Sequence, residues 1–358
     1  MIDKTKLAQA LDKDKLILFL LAVIALVAIG FVLKLAKPVI LPLVIAWLLT
    51  FIFGPVISAL TRKKVPLPLA ILLVMLLLCG FVFAGFFFLQ SSLSGIVAAF
   101  PKYEARFARL IGELTVLVPL QYNPLTDFDW AATVRDMMVV LSGSLLSILS
   151  NLVLVMIFLV FLLSGKPYAK LKMRHALSER RADQLNRIVS AISGQISRYL
   201  SVLVLISFAT GCLVCLALFL IGVDFALTWG VLAFVLNFIP TLGSIVATAL
   251  PIALALVQYY PSFWPSVIAL IAVTAIQMTI GNFIAPKVLG DRLHLSPVVI
   301  LVSLLFWGWL WGIAGALLAV PIASAIKIAC ENIDELQPIS VMMGSGRRLW
   351  KDDHHSES

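Results

Sequence analysis

The sequence predicts an all-α protein that crosses a membrane about seven or eight times. Of its 358 residues, 62% are hydrophobic and 13% are charged, whereas about 25% of the residues in soluble domains are charged. Apolar runs long enough to span a bilayer recur along the chain. The ten-residue alternating pattern of an outer-membrane barrel is absent, so the spans are predicted to be helices.

The first half of the chain divides into four spans and a polar insert. Residues 1–15 are predicted to be a cytoplasmic N-terminus, and residues 16–89 to contain three transmembrane helices. Residues 90–145 hold helix breakers, amphipathic pieces and nearly balanced charges. This pattern predicts an extracytoplasmic helical insert, after which residues 146–163 form a fourth transmembrane helix.

The second half begins with a basic segment. Residues 164–198 carry eight Lys or Arg and only two acidic residues, and their helical spacing predicts an amphipathic helix on the cytoplasmic membrane surface. Residues 199–330 are predicted to form a C-terminal transport core with broken helices. Residues 331–358 are then a cytoplasmic tail.

The distribution of Lys and Arg predicts the orientation of the chain. The densest clusters lie in residues 1–15, 61–64 and 164–198, and the positive-inside rule places all three in the cytoplasm. Lys34, in a short loop between the first two spans, and Lys327, near the end of the last span, are expected to reach the interface. Basic loops against anionic lipid account for the net charge of +9 without a nucleic-acid partner.

Three interruptions in the C-terminal core are the main functional signal. Residues 236–244 read LNFIPTLGS, residues 281–290 read GNFIAPKVLG, and residues 306–321 read FWGWLWGIAGALLAVP. Pro removes a backbone donor and Gly weakens a helix, and unpaired backbone groups are costly in lipid. In transporters such breaks line the substrate site. Any one break has an alternative interpretation as a packed kink, but their recurrence favours a shared cavity.

The helices beside two of these breaks are short. Residues 225–239 and 298–309 contain 15 and 12 residues, whereas a full span needs about 20 and at least about 17. We therefore expect half-helices or re-entrant hairpins. The segments IPTLGSIVATALPIA and WLWGIAGALLAVPIA are also alike, which suggests a repeat of two hairpins.

The predicted cavity is polar but uncharged, because residues 225–286 contain no Asp, Glu, Lys, Arg or His. The predicted substrate-binding residues are Asn237, Pro240, Thr241, Gly243, Asn282, Pro286, Gly290, Trp307, Gly312, Gly315 and Pro321. Further amide, hydroxyl and indole groups come from Gln277, Ser244, Trp309 and Trp311. These groups suit a small neutral, hydroxyl-rich solute, although each Trp is equally compatible with interfacial anchoring.

Catalysis and cofactor binding are not predicted. The spans contain no Ser/His or paired-Asp arrangement, and the four His residues have no second metal ligand at a useful spacing. A phosphate-binding G-x-x-x-x-G-K-[ST] loop is also missing. The sequence therefore predicts a transporter that is neither an enzyme nor an ATPase.

The motifs WGVLAFVLNFIPTLGSIVATALP (229–251) and GNFIAPKVLGDRLHLSPVVILVSLLFWGWLWGIAGALLAVPI (281–322) resemble the AI-2E family of bacterial membrane proteins, and residues 38–57 do so more loosely. The resemblance implies a multi-pass transporter of the bacterial inner membrane. Its implied activity is export of the quorum-sensing signal autoinducer-2 or a similar small polar solute. The resemblance also implies a homo-oligomer, with pentamers suggested among relatives.

Two other functions remain open on the sequence. A sodium/proton antiporter, also described in this family, would need a titrating group near the cavity, and only Asp224 and Asp291 are candidates. A membrane scaffold that transports nothing would use residues 90–145 as a docking surface.

Overall fold

The structure, a computed structural model, describes residues 20–21, 24–25, 27–117, 130–239, 242–289 and 295–344. These described residues are almost entirely helical. They contain no β-strand, only an isolated bridge between Leu295 and Gly344. The predicted all-α, multi-span fold is therefore confirmed.

Four long helices make up the first two thirds of the chain: α1 (Lys37–Arg62), α2 (Leu67–Leu117), α3 (Trp130–Ala176) and α4 (Glu179–Ile221). The last three contain 51, 47 and 43 residues. At 1.5 Å per residue they are about 65–75 Å long, twice the thickness of a hydrocarbon core of about 30 Å. Each therefore extends well beyond the lipid.

These extensions account for both polar segments of the sequence. The predicted insert consists of the second half of α2 and the start of α3, with residues 118–129 outside the described part. The basic segment 164–198 is the end of α3 and the start of α4, joined at residues 177–178. The structure contains no separate surface helix here, because α3 continues past Gly165 and Pro167 to Ala176, and α4 continues from Glu179 into the next span. Arg174 and Asp183 form an ion pair of 3.6 Å across the connection.

The predicted loop at Lys34 is also absent. Residues 16–19, 22–23 and 26 of the first predicted span lie outside the described residues, but residues 27–35 are helical, and only Ala36 separates them from α1. The Lys34 ammonium lies 4.5 Å from the centre of the Trp309 ring. A cation–π contact with the C-terminal core therefore holds this side chain.

The C-terminal part consists of shorter elements. They are α5 (Ala226–Leu236), α6 (Leu242–Tyr259), α7 (Trp264–Met278), a π-helical turn (Thr279–Ile284), α8 (Ala285–Leu289), α9 (Pro297–Trp311), α10 (Ile313–Glu331), a 3₁₀ turn (Asp334–Leu336) and α11 (Gln337–Met343).

Within the described residues, six helices are long and apolar enough to cross a membrane: α1, α2, α4, α6, α7 with its π-helical turn, and α10. Shorter apolar helices are formed by Asn151–Lys166, by α5 and by α9. These elements agree with the predicted count of spans, and α5 and α9 are the two short helices that the sequence indicated.

The long helix α4 joins two of the three apolar clusters in the described residues. Around Ile196 and Leu200 it packs against α1, α9 and α10. Around Val214 and Leu218 it packs against α5, α6 and α7. The third cluster joins α1, α2 and α3. Lys327 is buried rather than directed to the interface, with 7% of its side chain exposed, and pairs with Glu331 at 3.5 Å.

A proline in α1 shows how broken backbone hydrogen bonds are repaired. Pro55 has no N–H, so it leaves the carbonyl of Phe51 without its usual partner four residues on. The Ser197 hydroxyl of α4 donates a hydrogen bond of 2.6 Å to this carbonyl oxygen. This hydrogen bond connects α1 to α4. It satisfies the Phe51 carbonyl, for which lipid offers no alternative donor.

Candidate functional site

The first break lies between α5 and α6. Helix α5 has 11 residues and is therefore about 17 Å long, too short to cross the lipid core. Beyond its end the backbone forms a tighter turn, with hydrogen bonds between residues three apart instead of four. The N–H groups of Phe238 and Ile239 donate to the carbonyls of Val235 and Leu236 at 3.3 and 2.8 Å. The predicted half-helix is confirmed here. Pro240 and Thr241 lie outside the described residues.

Glycine is needed on the far side of this break. Gly243 is buried at the start of α6, and a methyl group on it would lie 1.8 Å from the carbonyl oxygen of Leu236. The backbone of α6 therefore touches the end of α5 directly. No other residue allows this approach, so Gly243 has a structural role in closing the break.

Asn237 is held in place at the break by a neighbouring helix. Its side-chain Nδ2 donates a hydrogen bond of 3.0 Å to the hydroxyl oxygen of Ser207. Ser207 is fully buried on α4. Because the nitrogen of the amide is engaged, the orientation of the half-buried Asn237 side chain is fixed. Sequence reasoning missed Ser207, whose only signal was a hydroxyl inside an apolar span.

Two glycines bring α4 and α5 close enough for this contact. A methyl group on Gly211 would lie 2.7 Å from the carbonyl oxygen of Gly230. A methyl group on Gly230 would lie 2.6 Å from Cβ of Cys215. Small residues at such crossings let membrane helices approach closely. Cys215 therefore has a packing role at this crossing.

The second break is a π-helical turn rather than a loop. Residues Thr279–Ile284 adopt π-helix at the end of α7, and α8 follows without interruption. Such turns are rare, and they are frequent at functional sites. Asn282 lies in the turn with an exposed side chain. Pro286 belongs to α8, and Gly290 lies outside the described residues.

The third break is a tight hairpin between α9 and α10. Only Gly312 separates the two helices, and its φ of 71° is in the region that favours glycine. A methyl group on Gly315 would lie 1.9 Å from the carbonyl oxygen of Trp307. The centres of the Trp307 and Trp311 rings lie 4.8 Å apart, with the two ring planes tilted by 42°. Pro321 is buried within α10.

The two hairpins share one design. In each, a short helix ends, the chain turns, and a glycine of the next helix touches a carbonyl of the first. In each, a buried proline follows that glycine, at Pro251 and Pro321. The spacing differs between the two hairpins, because Pro251 is eight positions after Gly243, whereas Pro321 is six positions after Gly315.

The described candidate residues of the first and third breaks form two groups, each beside a different apolar cluster. Asn237 and Gly243 lie beside the apolar cluster of α5, α6 and α7, while Trp307, Gly312, Gly315 and Pro321 belong to the α9–α10 hairpin. Helix α4 contributes to both groups. In the first group the available polar groups are the Asn237 amide, the Ser207 hydroxyl and helix ends that carry partial charges of about half a unit.

A multi-span helical protein with broken, glycine-closed hairpins and no charged side chain in the first of them has the features of a membrane transporter. Comparison with known proteins gives the family. Residues 17–335 match the model described as AI-2E family transporter. The chain belongs to the AI-2E family.

Several relatives align over most of both chains. The "Putative transport protein" of Borreliella burgdorferi is 34% identical over 94% of this chain and 93% of its own length. "Putative transport protein YhhT" of Escherichia coli K12 is 31% identical over 87% of this chain and 90% of its own length. "AI-2 transport protein TqsA" of the same organism is 28% identical over 91% of this chain and 95% of its own length.

Proposed function

We propose that this AI-2E family transporter exports a small uncharged polar solute across the bacterial inner membrane, and that autoinducer-2 or a similar molecule is the solute. The observation that carries the proposal is the break at Asn237, where a fixed amide lies beside a buried hydroxyl in a region without ionisable side chains. The name of the relative TqsA supports autoinducer-2. The names of the Borreliella and YhhT relatives specify no solute.

The chemistry of the break suits a neutral solute. An amide oxygen, a hydroxyl and the partial charges of two helix ends can replace the water that a polyol loses on entering the site. No full charge is available there to attract an ion or to bind a proton. In the proposed mechanism, the hairpin rearranges at its break to expose the bound solute to one side of the membrane and then to the other.

The assembly and orientation are part of the same proposal. We propose a homo-oligomer with both termini in the cytoplasm and the outer halves of α2 and α3 outside. The predicted orientation of the Lys and Arg clusters supports this arrangement. The exposed apolar side chains of α7, among them Ile271 at 64% exposure, are available to contact lipid or a second copy.

The test is solute flux into liposomes that contain the purified protein. We expect autoinducer-2 to accumulate, and we expect Asn237→Ala to slow its entry at least about tenfold, the loss expected when a polar solute forfeits one buried hydrogen bond. Ser207→Ala should slow entry less, because it removes the hydroxyl and the hydrogen bond that orients the amide but leaves the Asn237 amide itself in the break. The matched control is Asn332→Ala, which deletes the same amide at the end of α10.

The outcomes separate the candidate functions. Autoinducer-2 flux that Asn237→Ala leaves unchanged would contradict the assigned site but not the solute. A change in internal pH on addition of sodium, without flux of the signal, would favour the antiporter. The absence of both signal flux and a pH change would favour the scaffold. The carboxylate of Asp224, one of the two antiporter candidates, pairs with Lys102 at 3.3 Å, and Asp291 lies outside the described residues.

A further inference from the structure

One face of α2 contacts the first hairpin along the part of α2 that lies outside the predicted lipid region. The contacting residues are Ser92, Gly95, Lys102, Tyr103 and Arg106. Ser92, Gly95, Tyr103 and Arg106 share one face, because their spacings of three, eight and three follow the helical repeat. At 1.5 Å per residue the stripe is about 21 Å long. We call residues 90–109 of α2 the strap.

The strongest contacts of the strap converge on Asp224, in the loop between α4 and α5. The Tyr103 hydroxyl donates a hydrogen bond to the Asp224 carboxylate, and the Lys102 ammonium lies 3.3 Å from the same oxygen. The Asp224 backbone N–H donates to Oε1 of Gln258 at 2.8 Å, and Nε2 of Gln258 donates to the carbonyl of Gly222 at 2.8 Å. One network therefore joins the strap, the loop and the end of α6.

Two further contacts extend the attachment to both helices of the hairpin. Arg106 donates a hydrogen bond to the backbone carbonyl of Gln258, near the end of α6. The Thr228 hydroxyl of α5 donates to the Ser92 hydroxyl at 3.0 Å. Because α5 is only 11 residues long and ends at the Asn237 break, a movement of its first turn is transmitted to the break.

The loop itself is held in an unusual conformation. Phe225 has a φ of 61°, which is rare for an aromatic residue. Its ring packs against Gly95 of the strap, where a methyl group would lie 3.3 Å from the ring. A residue in such a backbone conformation persists only where its surroundings hold it, and such positions cluster at active sites, ligand clamps and switch regions.

The attachment is of a kind that can open. Its central ion pair is partly solvated, with 53% of the Lys102 side chain and 37% of the Asp224 side chain exposed. Exposed ion pairs contribute little to stability, so they can exchange for water at low cost.

We propose that the strap is a gate on the extracytoplasmic side of the first hairpin, and that release of its contacts with Asp224 opens the Asn237 break to that side. This inference rests on the proposed transport function. A solute leaving the break toward the outside then needs the strap to detach, and the closed strap prevents leakage through the hairpin between transport cycles.

The first experiment locks the strap. In a variant with Cys79, Cys212, Cys215 and Cys330 replaced, Ser92→Cys and Thr228→Cys place two sulfur atoms where the two hydroxyls now meet. Ile239→Cys, half-buried in the break, reports access to a membrane-impermeant maleimide added from outside. Peptide mass spectrometry reads labelling at that position alone. We expect labelling in the reduced protein and at least about tenfold slower labelling after the disulfide forms.

The second experiment loosens the strap. Asp224→Asn and Tyr103→Phe each weaken the central contacts and should speed labelling at position 239 about tenfold, since a charge-assisted hydrogen bond is lost. The matched control is Glu104→Gln, which makes the same change of charge at an exposed neighbour of Tyr103. It should leave the labelling rate unchanged.

The results distinguish the gate from the proposed solute. Equal labelling in the locked and reduced proteins, or no labelling in either, would overturn the gate. Faster labelling in the Glu104→Gln control as well would attribute the effect to charge alone and also overturn it. Labelling that follows the strap while the liposomes show no flux of autoinducer-2 would retain the gate and reject that solute.

Discussion

Substituting alanine for one buried glycine tests the hairpin design most directly. The Cβ atom of Gly243→Ala would lie 1.8 Å from the carbonyl oxygen of Leu236, whereas these atoms need about 3.4 Å, so the two helices must separate by about 1.5 Å. Gly315→Ala meets the same obstacle, at 1.9 Å from the carbonyl oxygen of Trp307. Neither obstacle can rotate away, because both are backbone atoms.

The expected cost follows from this overlap. Forcing extra atoms into a packed interior costs about 1–3 kcal/mol, and a backbone overlap of this depth belongs at the upper end. A loss of about 3 kcal/mol lowers the ratio of folded to unfolded protein roughly a hundredfold. We therefore expect both variants to have lower midpoints of thermal unfolding in detergent and lower yields in the membrane.

The assay is the fraction of protein that elutes as a single species from a sizing column after heating. Gly80→Ala is the matched control, because a methyl group on Gly80, within α2, has no atom within 4 Å. Alanine favours a helix by about 1 kcal/mol over glycine, so this variant should be at least as stable as the wild type. Gly243→Ala and Gly315→Ala proteins with the wild-type midpoint would refute the close contact at the breaks.

Two further predictions concern the contacts of α4. Ser197→Ala should lower the free energy of unfolding by about 0.6–1.7 kcal/mol, because it removes the donor to the Phe51 carbonyl. Pro55→Ala restores the N–H within α1 and should abolish most of that effect, which a double-mutant cycle measured by thermal unfolding will show. Gly230→Ala should also destabilise the protein, by about 1–3 kcal/mol, because the new methyl group meets Cys215 at 2.6 Å. The same methyl group would also lie 2.7 Å from the carbonyl oxygen of Gly211. Cys215→Gly should therefore restore only part of the thermal midpoint that Gly230→Ala loses.

The sequence predicted the class of fold because lipid imposes simple rules. Apolar runs, charge clusters and the positions of Pro and Gly are local properties, and the structure confirms helices over the predicted spans from Lys37 onward. The short helices α5 and α9 could also be predicted from length alone. The family could be predicted as well, because its motifs lie in these breaks.

The ends of the helices could not be predicted from hydropathy. The basic segment 164–198 and the insert 90–145 both continue helices that begin or end in the spans. Hydropathy changes where a helix leaves the lipid, but the backbone hydrogen bonds continue across that point. For this reason the segment that was predicted as a surface helix consists of the end of α3 and the start of α4. For the same reason the first part of the predicted insert is a continuation of α2, the strap, which contacts the first hairpin.

The sequence by itself determined that this chain spans a membrane with broken helices and an uncharged polar segment. Only the tertiary structure decided which groups meet at the breaks. Ser207 of α4 reaches Asn237, and Tyr103 of α2 reaches Asp224 more than a hundred residues away. The reason is that a composition pattern reports the environment of a helix face, while a hydrogen bond between helices depends on how closely glycines such as Gly211 and Gly230 let those helices approach.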